Sequence, residues 1–326
     1  MPAGHPPAAR QVATSPQAQC ARAVLMIRPA AFGWNPETAG SNRFQQQGAG
    51  PSEAASAAAV AEFDAVAAAL QAAGVEVHAI DEPATSACPD AVFPNNWLSL
   101  HHDGTLVLYP MLAPSRRRER RMQILVELEK RGGFEVARLV DLTHYELAGR
   151  FLEGTGSVVF DHEAKVAYAC LSPRTDRSVL EELCDELEYE PFTFDATGAD
   201  GVAVYHTNVL LSIGRRNVIV CAESVPATQR EALLESLGAG GRRVLEVSRG
   251  QMAGFACNSL ELEASDGAAV LAMSARAHDS LGPRTLDALR ESVQRIVSVP
   301  VPTIEQRGGG SVRCMLAEVF LPRAAR

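Results

Sequence analysis

One unit of secondary structure recurs along this chain, and the recurrence limits the folds open to it. A short polar corner leads into a strand, a tight turn, a return strand, an amphipathic helix and a further strand. The corners fall at Asn96, Glu153, His206, Asn258 and Cys314, with successive gaps of 57, 53, 52 and 56 residues. After the corner Phe93-Pro94-Asn95-Asn96-Trp97, Leu98–Leu100 and Thr105–Tyr109 flank a His-Asp-Gly turn that reads as a hairpin. The helix pattern then runs over 115–130 and a strand over 134–139. Later units repeat this with Ser157–Phe160 and Val166–Cys170, Val209–Ile213 and Val218–Cys221, and Ser259–Leu262 and Ala268–Met273. Their helices are expected over 176–187, 227–237 and 283–297. The fifth corner leads into Met315–Leu321, whose hairpin partner is the N-terminal strand at Val24–Arg28. That strand precedes an alanine-rich helix over 51–71, with Val60, Phe63, Val66 and Leu70 on one face, and a strand over 75–80. A period of this length marks a radial repeat, and closing the last unit with the first strand removes the open edges of a linear array. The expectation is an α/β fold of ββαβ units in a closed ring, with the five corners at its axis.

The chemistry expected of the site comes from what stands at those corners. Cys314 ends the run Arg307-Gly308-Gly309-Gly310-Ser311-Val312-Arg313, where glycines allow the backbone close to a ligand and Arg313 favours a thiolate. Taken singly, the cysteine reads as a buried structural thiol, His206 as a core histidine and Glu153 as a turn residue. Taken together they supply a nucleophile, a proton shuttle and a carboxylate that orients the shuttle. Glu153 beside the imidazole is expected to raise its pKa and keep it protonated near neutrality. Asn258 is expected only to brace the backbone of its corner.

Composition narrows the remaining classes. A formal net charge of −9 and no basic stripe argue against a nucleic-acid grip. The one dense basic cluster, Arg116–Arg121, reads as a solvated helix face. Seven cysteines without C-x-x-C spacing point to reduced thiols, a cytoplasmic setting and no zinc site. No apolar run reaches membrane-spanning length. Residues 1–21, rich in Ala, Pro and Gln, read as a disordered tail, and 22–326 as one catalytic domain.

The motifs Phe93-Pro94-Asn95-Asn96-Trp97, Glu153-Gly154, Ser172-Pro173-Arg174-Thr175, His206-Thr207-Asn208 and Gly308–Met315 resemble those of the pentein superfamily, the guanidino-group-modifying enzymes. With the Ile27-Arg28-Pro29 opening, the resemblance is to their amidinotransferase-like citrulline-utilisation branch, and it spans roughly 22–322. It implies a five-bladed α/β propeller with pseudo-five-fold symmetry, Cys314 as nucleophile, His206 as acid and base, Glu153 beside it, and Arg174 on the substrate α-carboxylate. Arg28 and Arg313 are further candidates for that carboxylate. Where arginine deiminases place two aspartates on the guanidinium, this chain has Asn96 (or Asn95) and Asn208. Amides suit a neutral ureido group, whereas a cation calls for carboxylates. The implied reaction is hydrolysis of citrulline to ornithine, ammonia and carbon dioxide. Alternatives are an arginine deiminase, dimethylarginine hydrolase or amidinotransferase on a guanidino substrate, and a non-catalytic binding module of the ribosome anti-association type. No cofactor or metal is implied. The expected partner is a small-molecule substrate, with a homodimer through an outer face allowed and neither nucleic acid nor membrane. The loop 30–50, with Phe32, Trp34 and Asn35, is the candidate lid.

Overall fold

The computed structural model describes residues 17–47 and 52–324. Its fifteen described strands fall into five sets of three, each with one order: an outer strand antiparallel to a middle strand, then a helix, then a third strand parallel to the middle one. The first set is β15 (Ala317–Val319), β1 (Ala23–Arg28) and β2 (Glu76–Asp81), with α1 (Glu53–Ala72) between β1 and β2. The second is β3 (Leu98–Leu100), β4 (Thr105–Leu108), α2 (Gln123–Gly132) and β5 (Arg138–Asp141). The third is β6 (Val159–Asp161), β7 (Val166–Cys170), α3 (Arg177–Leu187) and β8 (Glu190–Phe194). The fourth is β9 (Leu211–Ile213), β10 (Asn217–Val220), α4 (Ala227–Gly238) and β11 (Arg243–Glu246). The fifth is β12 (Leu260–Glu263), β13 (Ala269–Ser274), α5 (Pro283–Arg290) and β14 (Arg295–Val299). The fold is α/β with mixed sheets. Val319 pairs with Leu100, so the first two sets merge into one six-stranded sheet and the sheets number four, not five.

The middle strands are buried along almost their whole length, because each is flanked on both edges and covered by a helix. The long helix α1 starts where the Ser52 side chain accepts from the amide of Ala55, and it packs Phe63, Val66 and Leu70 against β1 and the fifth set. Asp176 caps α3 in the same way. The N-terminal strand does complete the last unit, in the register Ala23 opposite Val319.

Four expectations need correction. The helix expected over 115–130 is broken into a turn at Pro114–Arg117 and α2, because arginines in the break are held by tertiary partners. Arg116 is 3% exposed, so that cluster is no solvated face. The helix expected over 283–297 ends at Arg290, since Ile296, Val297 and Val299 are taken into β14 beside β13. The expected tail is too long: residues 1–16 lie outside the described residues, but Cys20 and Ala21 are buried and Gln19 is anchored. Its Nε2 donates to the carbonyl of Phe160 at 3.0 Å and its Oε1 accepts from His162 N at 2.8 Å. All seven cysteines are free and buried. No helix among the described residues is long and apolar enough to cross a membrane.

Candidate active site

The corners meet because two glycines let them. A Cβ on Gly154, which has φ of +47°, would lie 2.2 Å from the carbonyl oxygen of Asn95. A Cβ on Gly156 would lie 2.5 Å from Asn96 Nδ2 and 2.7 Å from His206 Nδ1. Any side chain there would drive the first three corners apart. Glu153 opens this turn with its own amide tied to Ser157 Oγ at 2.9 Å. From there its carboxylate reaches His206, with Oε2 2.9 Å from Nε2.

Glu153 is fully buried and receives two further donors, Leu112 N at 3.1 Å and Arg174 Nη1 at 3.3 Å. Burial alone would push its pKa up, but Arg174, His206 and Arg116 together hold it well below the usual carboxylate range. His206 does the opposite of what its sequence context suggests. Burial, aided by Arg174 and Arg116, outweighs the pull of Glu153 and lowers the imidazole pKa to about 4. The pair therefore rests as carboxylate and neutral imidazole. An ionised carboxylate only accepts, so Nε2 carries the hydrogen and the Nδ1 lone pair is left for chemistry. Since kcat/KM reports the free enzyme, its acid limb is expected near pH 4, with activity falling as Nδ1 takes a proton. A pH profile with that limb near the ordinary histidine value of 6.5 would contradict this assignment.

Cys314 sits in a turn at Val312–Met315 just before β15 and is 7% exposed. Two amides face its sulfur: Asn258 Nδ2 at 3.3 Å and Asn208 Nδ2 at 3.7 Å. Asn258 also donates to the carbonyl of Asn208 at 3.3 Å, so it braces backbone as expected and additionally touches the Cys314 sulfur. Cys314, His206, Asn96 and Arg174 line one cavity, which Thr38 and Asn42 close from above. At about 20 Å³ the cavity has room for about one water molecule, so an amino acid enters only when this cover or the side chains part.

The cover is the loop expected as the lid. Asn42 Nδ2 donates to Gly308 O at 3.1 Å, Gln45 Nε2 to Arg307 O at 2.8 Å, and Gln46 N to Gln306 O at 2.8 Å. Residues 48–50 of that loop lie outside the described residues. Arg174 ties the loop to the site: its Nη2 donates to Thr38 O at 3.0 Å, and its guanidinium lies 5.0 Å over the ring of Tyr205.

Four expected ligands do not line the cavity. Asn208 meets it only through the sulfur, with Nδ2 3.7 Å from Cys314 Sγ. Arg28 forms a two-point pair with Asp64, both contacts at 2.8 Å, on an exposed face. Arg313 follows the backbone next to Cys314, but its guanidinium turns away to Leu316 O at 2.9 Å and Glu318 at 3.1 Å. Asn95 stands behind the wall, donating to Thr155 Oγ1 at 3.2 Å.

Two residues that the sequence does not point to as ligands line the cavity. Arg116 is buried there, donating through Nη1 to Asn96 Oδ1 at 2.7 Å and through Nε and Nη2 to Glu119 at 3.0 and 2.9 Å. A guanidinium only donates, so Asn96 is fixed with its oxygen toward Arg116. Its Nδ2 is then buried without a partner, as is Asn208 Oδ1. Asp90 is 2% exposed and lines the same cavity, with Oδ2 accepting from Asn35 Nδ2 at 2.7 Å and Oδ1 unpartnered. Burial raises its pKa against the pull of Arg116.

With this geometry, similarity to known proteins carries meaning. No curated protein sequence matches the chain. Among solved structures it is similar to the N-terminal domain of ArgZ, an arginine dihydrolase from the ornithine-ammonia cycle in cyanobacteria, bound to product. There the TM-score is 0.68 at 18% identity, covering 92% of this chain and 99% of that one. A mutant of AgrE in complex with L-arginine gives 0.68 at 15%, over 93% of this chain and 41% of that one. A dimethylarginine dimethylaminohydrolase adduct with S-methyl-L-thiocitrulline gives 0.60 at 14%, over 91% and 99%. At these identities the likeness carries the fold alone. Residues 28–321 match the profile of the family described as N,N dimethylarginine dimethylhydrolase, eukaryotic. The chain therefore belongs to that family of guanidino-group hydrolases, within the pentein superfamily.

Proposed function

We propose that the protein is a cysteine-dependent hydrolase of the citrulline ureido group, yielding ornithine, ammonia and carbon dioxide. The orientation of Asn96 carries this reading. Its buried Nδ2 is a donor without an acceptor, and Arg116 prevents the amide from turning over. A ureido oxygen supplies that acceptor; Asn208, which touches Cys314 Sγ without lining the cavity, also has an open amide oxygen. A guanidinium has donors only and would leave Asn96 Nδ2 facing N–H, at a cost of about 1–3 kcal/mol for the unmatched group. Asp90 favours the guanidino alternative to the extent that it is a carboxylate with an open oxygen. Its closeness to Thr38, which Arg174 also contacts, suits it better to the amino-acid head. Arg174 then takes the α-carboxylate and Asp90 the α-ammonium.

In this mechanism His206 Nδ1 takes the Cys314 thiol proton and the sulfur attacks the ureido carbon. The imidazolium returns the proton to the departing nitrogen, leaving a thioester-like carbamoyl intermediate on sulfur. Water, deprotonated by His206, then attacks the same carbon and the sulfur departs with that proton, releasing a carbamic acid whose remaining C–N bond breaks to give the second amine and carbon dioxide. Glu153 holds the ring and offsets its charge throughout. The five strand sets of common order support a five-bladed ring of one domain, and the unpaired thiols support a reducing, cytoplasmic setting. Incubating the protein with citrulline and assaying ornithine and ammonia tests the reading. Equimolar release of both is expected, and their absence at high enzyme concentration sinks it.

A further inference from the structure

Tyr205 lines a second cavity besides the reaction cavity. This one is about 340 Å³, with walls of Phe44, Val202, Val204 and Met252 and three arginines, Arg43, Arg249 and Arg276. Asp200 is the one carboxylate lining it, 3.8 Å from Arg43. Arg276 stacks on Phe255 at 5.2 Å, with Glu305 3.8 Å away. Arg249 donates through Nη2 to the Glu223 carbonyl at 2.7 Å, and its Nε is buried without a hydrogen-bond partner. An apolar chamber with an excess of guanidinium groups fits an anion with an apolar body.

We propose that this cavity binds a small organic carboxylate with an apolar body, and that the bound anion holds the 38–46 segment down over the reaction cavity. Arg43, Phe44 and Gln46 form one wall and belong to that segment. Arg249, Met252 and Arg276 form another part of the wall and belong to the body of the protein. Thr38 and Asn42 of the same segment close the reaction cavity. A ligand that touches both walls favours the arrangement in which they are close, and favours it by its affinity difference between the two arrangements. The ring of Phe44, 4.9 Å from Phe255 and 6.3 Å from Tyr205, is the contact between segment and body that it reinforces.

The test uses the full chain and two probes of one shape, 3-phenylpropanoate and the neutral 3-phenylpropanamide, in calorimetric titrations. The carboxylate is expected to bind about tenfold more tightly than the amide, and to lose about tenfold when Arg249→Gln and Arg276→Gln are combined. Equal binding of the two probes, no heat with either, or indifference to the double substitution overturns the site. Hydrogen exchange of a peptide spanning 38–47 is read in parallel, because the Gln46 amide is tied to Gln306 only while the segment is seated. Slowing by roughly threefold with the carboxylate is expected, and unchanged exchange overturns the clamp. Neither readout requires turnover, so a failure here is separate from a failure of the citrulline assignment.

Discussion

Cys314→Ser is expected to lower citrulline turnover by at least about a thousandfold while leaving the fold intact. The sulfur lines the same cavity as His206 and faces the amides of Asn208 and Asn258. Serine is smaller and keeps a polar atom for the two amides, so no buried donor is orphaned and packing loses little. Its hydroxyl is far less acidic than a thiol and a weaker nucleophile toward the ureido carbon, and an alkoxide leaves the intermediate less readily than a thiolate. Steady-state turnover and a thermal melt on the same sample separate the two effects. Retained activity would remove the sulfur from the mechanism. A collapsed melting transition would show that the cysteine is structural.

Asn96→Asp is expected to invert the choice of substrate. The new carboxylate keeps one oxygen on Arg116, replacing the hydrogen bond now made at 2.7 Å. Its other oxygen takes the place of the unpartnered Nδ2, near Gly156, and offers an acceptor where a donor stood. Citrulline then meets oxygen with oxygen, while a guanidinium gains a charge-assisted contact. Mismatch of a buried hydrogen-bonding group costs about 1–3 kcal/mol, and the swap counts it twice, once against each substrate. The ratio of kcat/KM for citrulline over arginine should fall by roughly two to four orders of magnitude. Asn96→Ala serves as control: it should lose citrulline activity without gaining arginine activity. Equal effects of Asp and Ala on both substrates would mean that Asn96 fills space and selects nothing.

Much of this site was legible because corner residues are punctuated by local chemistry. Gly154 and Gly156 flank Thr155 where backbone and side chains of neighbouring corners press in, and the hairpin turns are spaced regularly, so Glu153, His206 and Cys314 align by period. Arg116 was hidden because a cluster of arginines beside a helix pattern looks like surface. Only the three-dimensional fold brings Glu119, Asn96 and the carbonyls of Asp90 and Phe93 around one guanidinium. Asp90 was hidden for a related reason. Following Cys88-Pro89, it reads as a turn former, and its value comes from Asn35 and Thr38 on a distant loop. The charge of His206 was misjudged because its nearest neighbour, Glu153, is visible in the repeat, while complete burial and Arg116 are not. Arg28 and Arg313 were attractive by proximity in sequence, but each has a nearer carboxylate.

On the proposed reading, the unmatched N–H of Asn96, fixed by Arg116, selects a neutral ureido group over a cation. Measuring kcat/KM of the wild-type protein for citrulline and for arginine under one condition addresses it directly. A preference for citrulline of at least roughly a hundredfold is the predicted result; an arginine value equal to or above that for citrulline would contradict it.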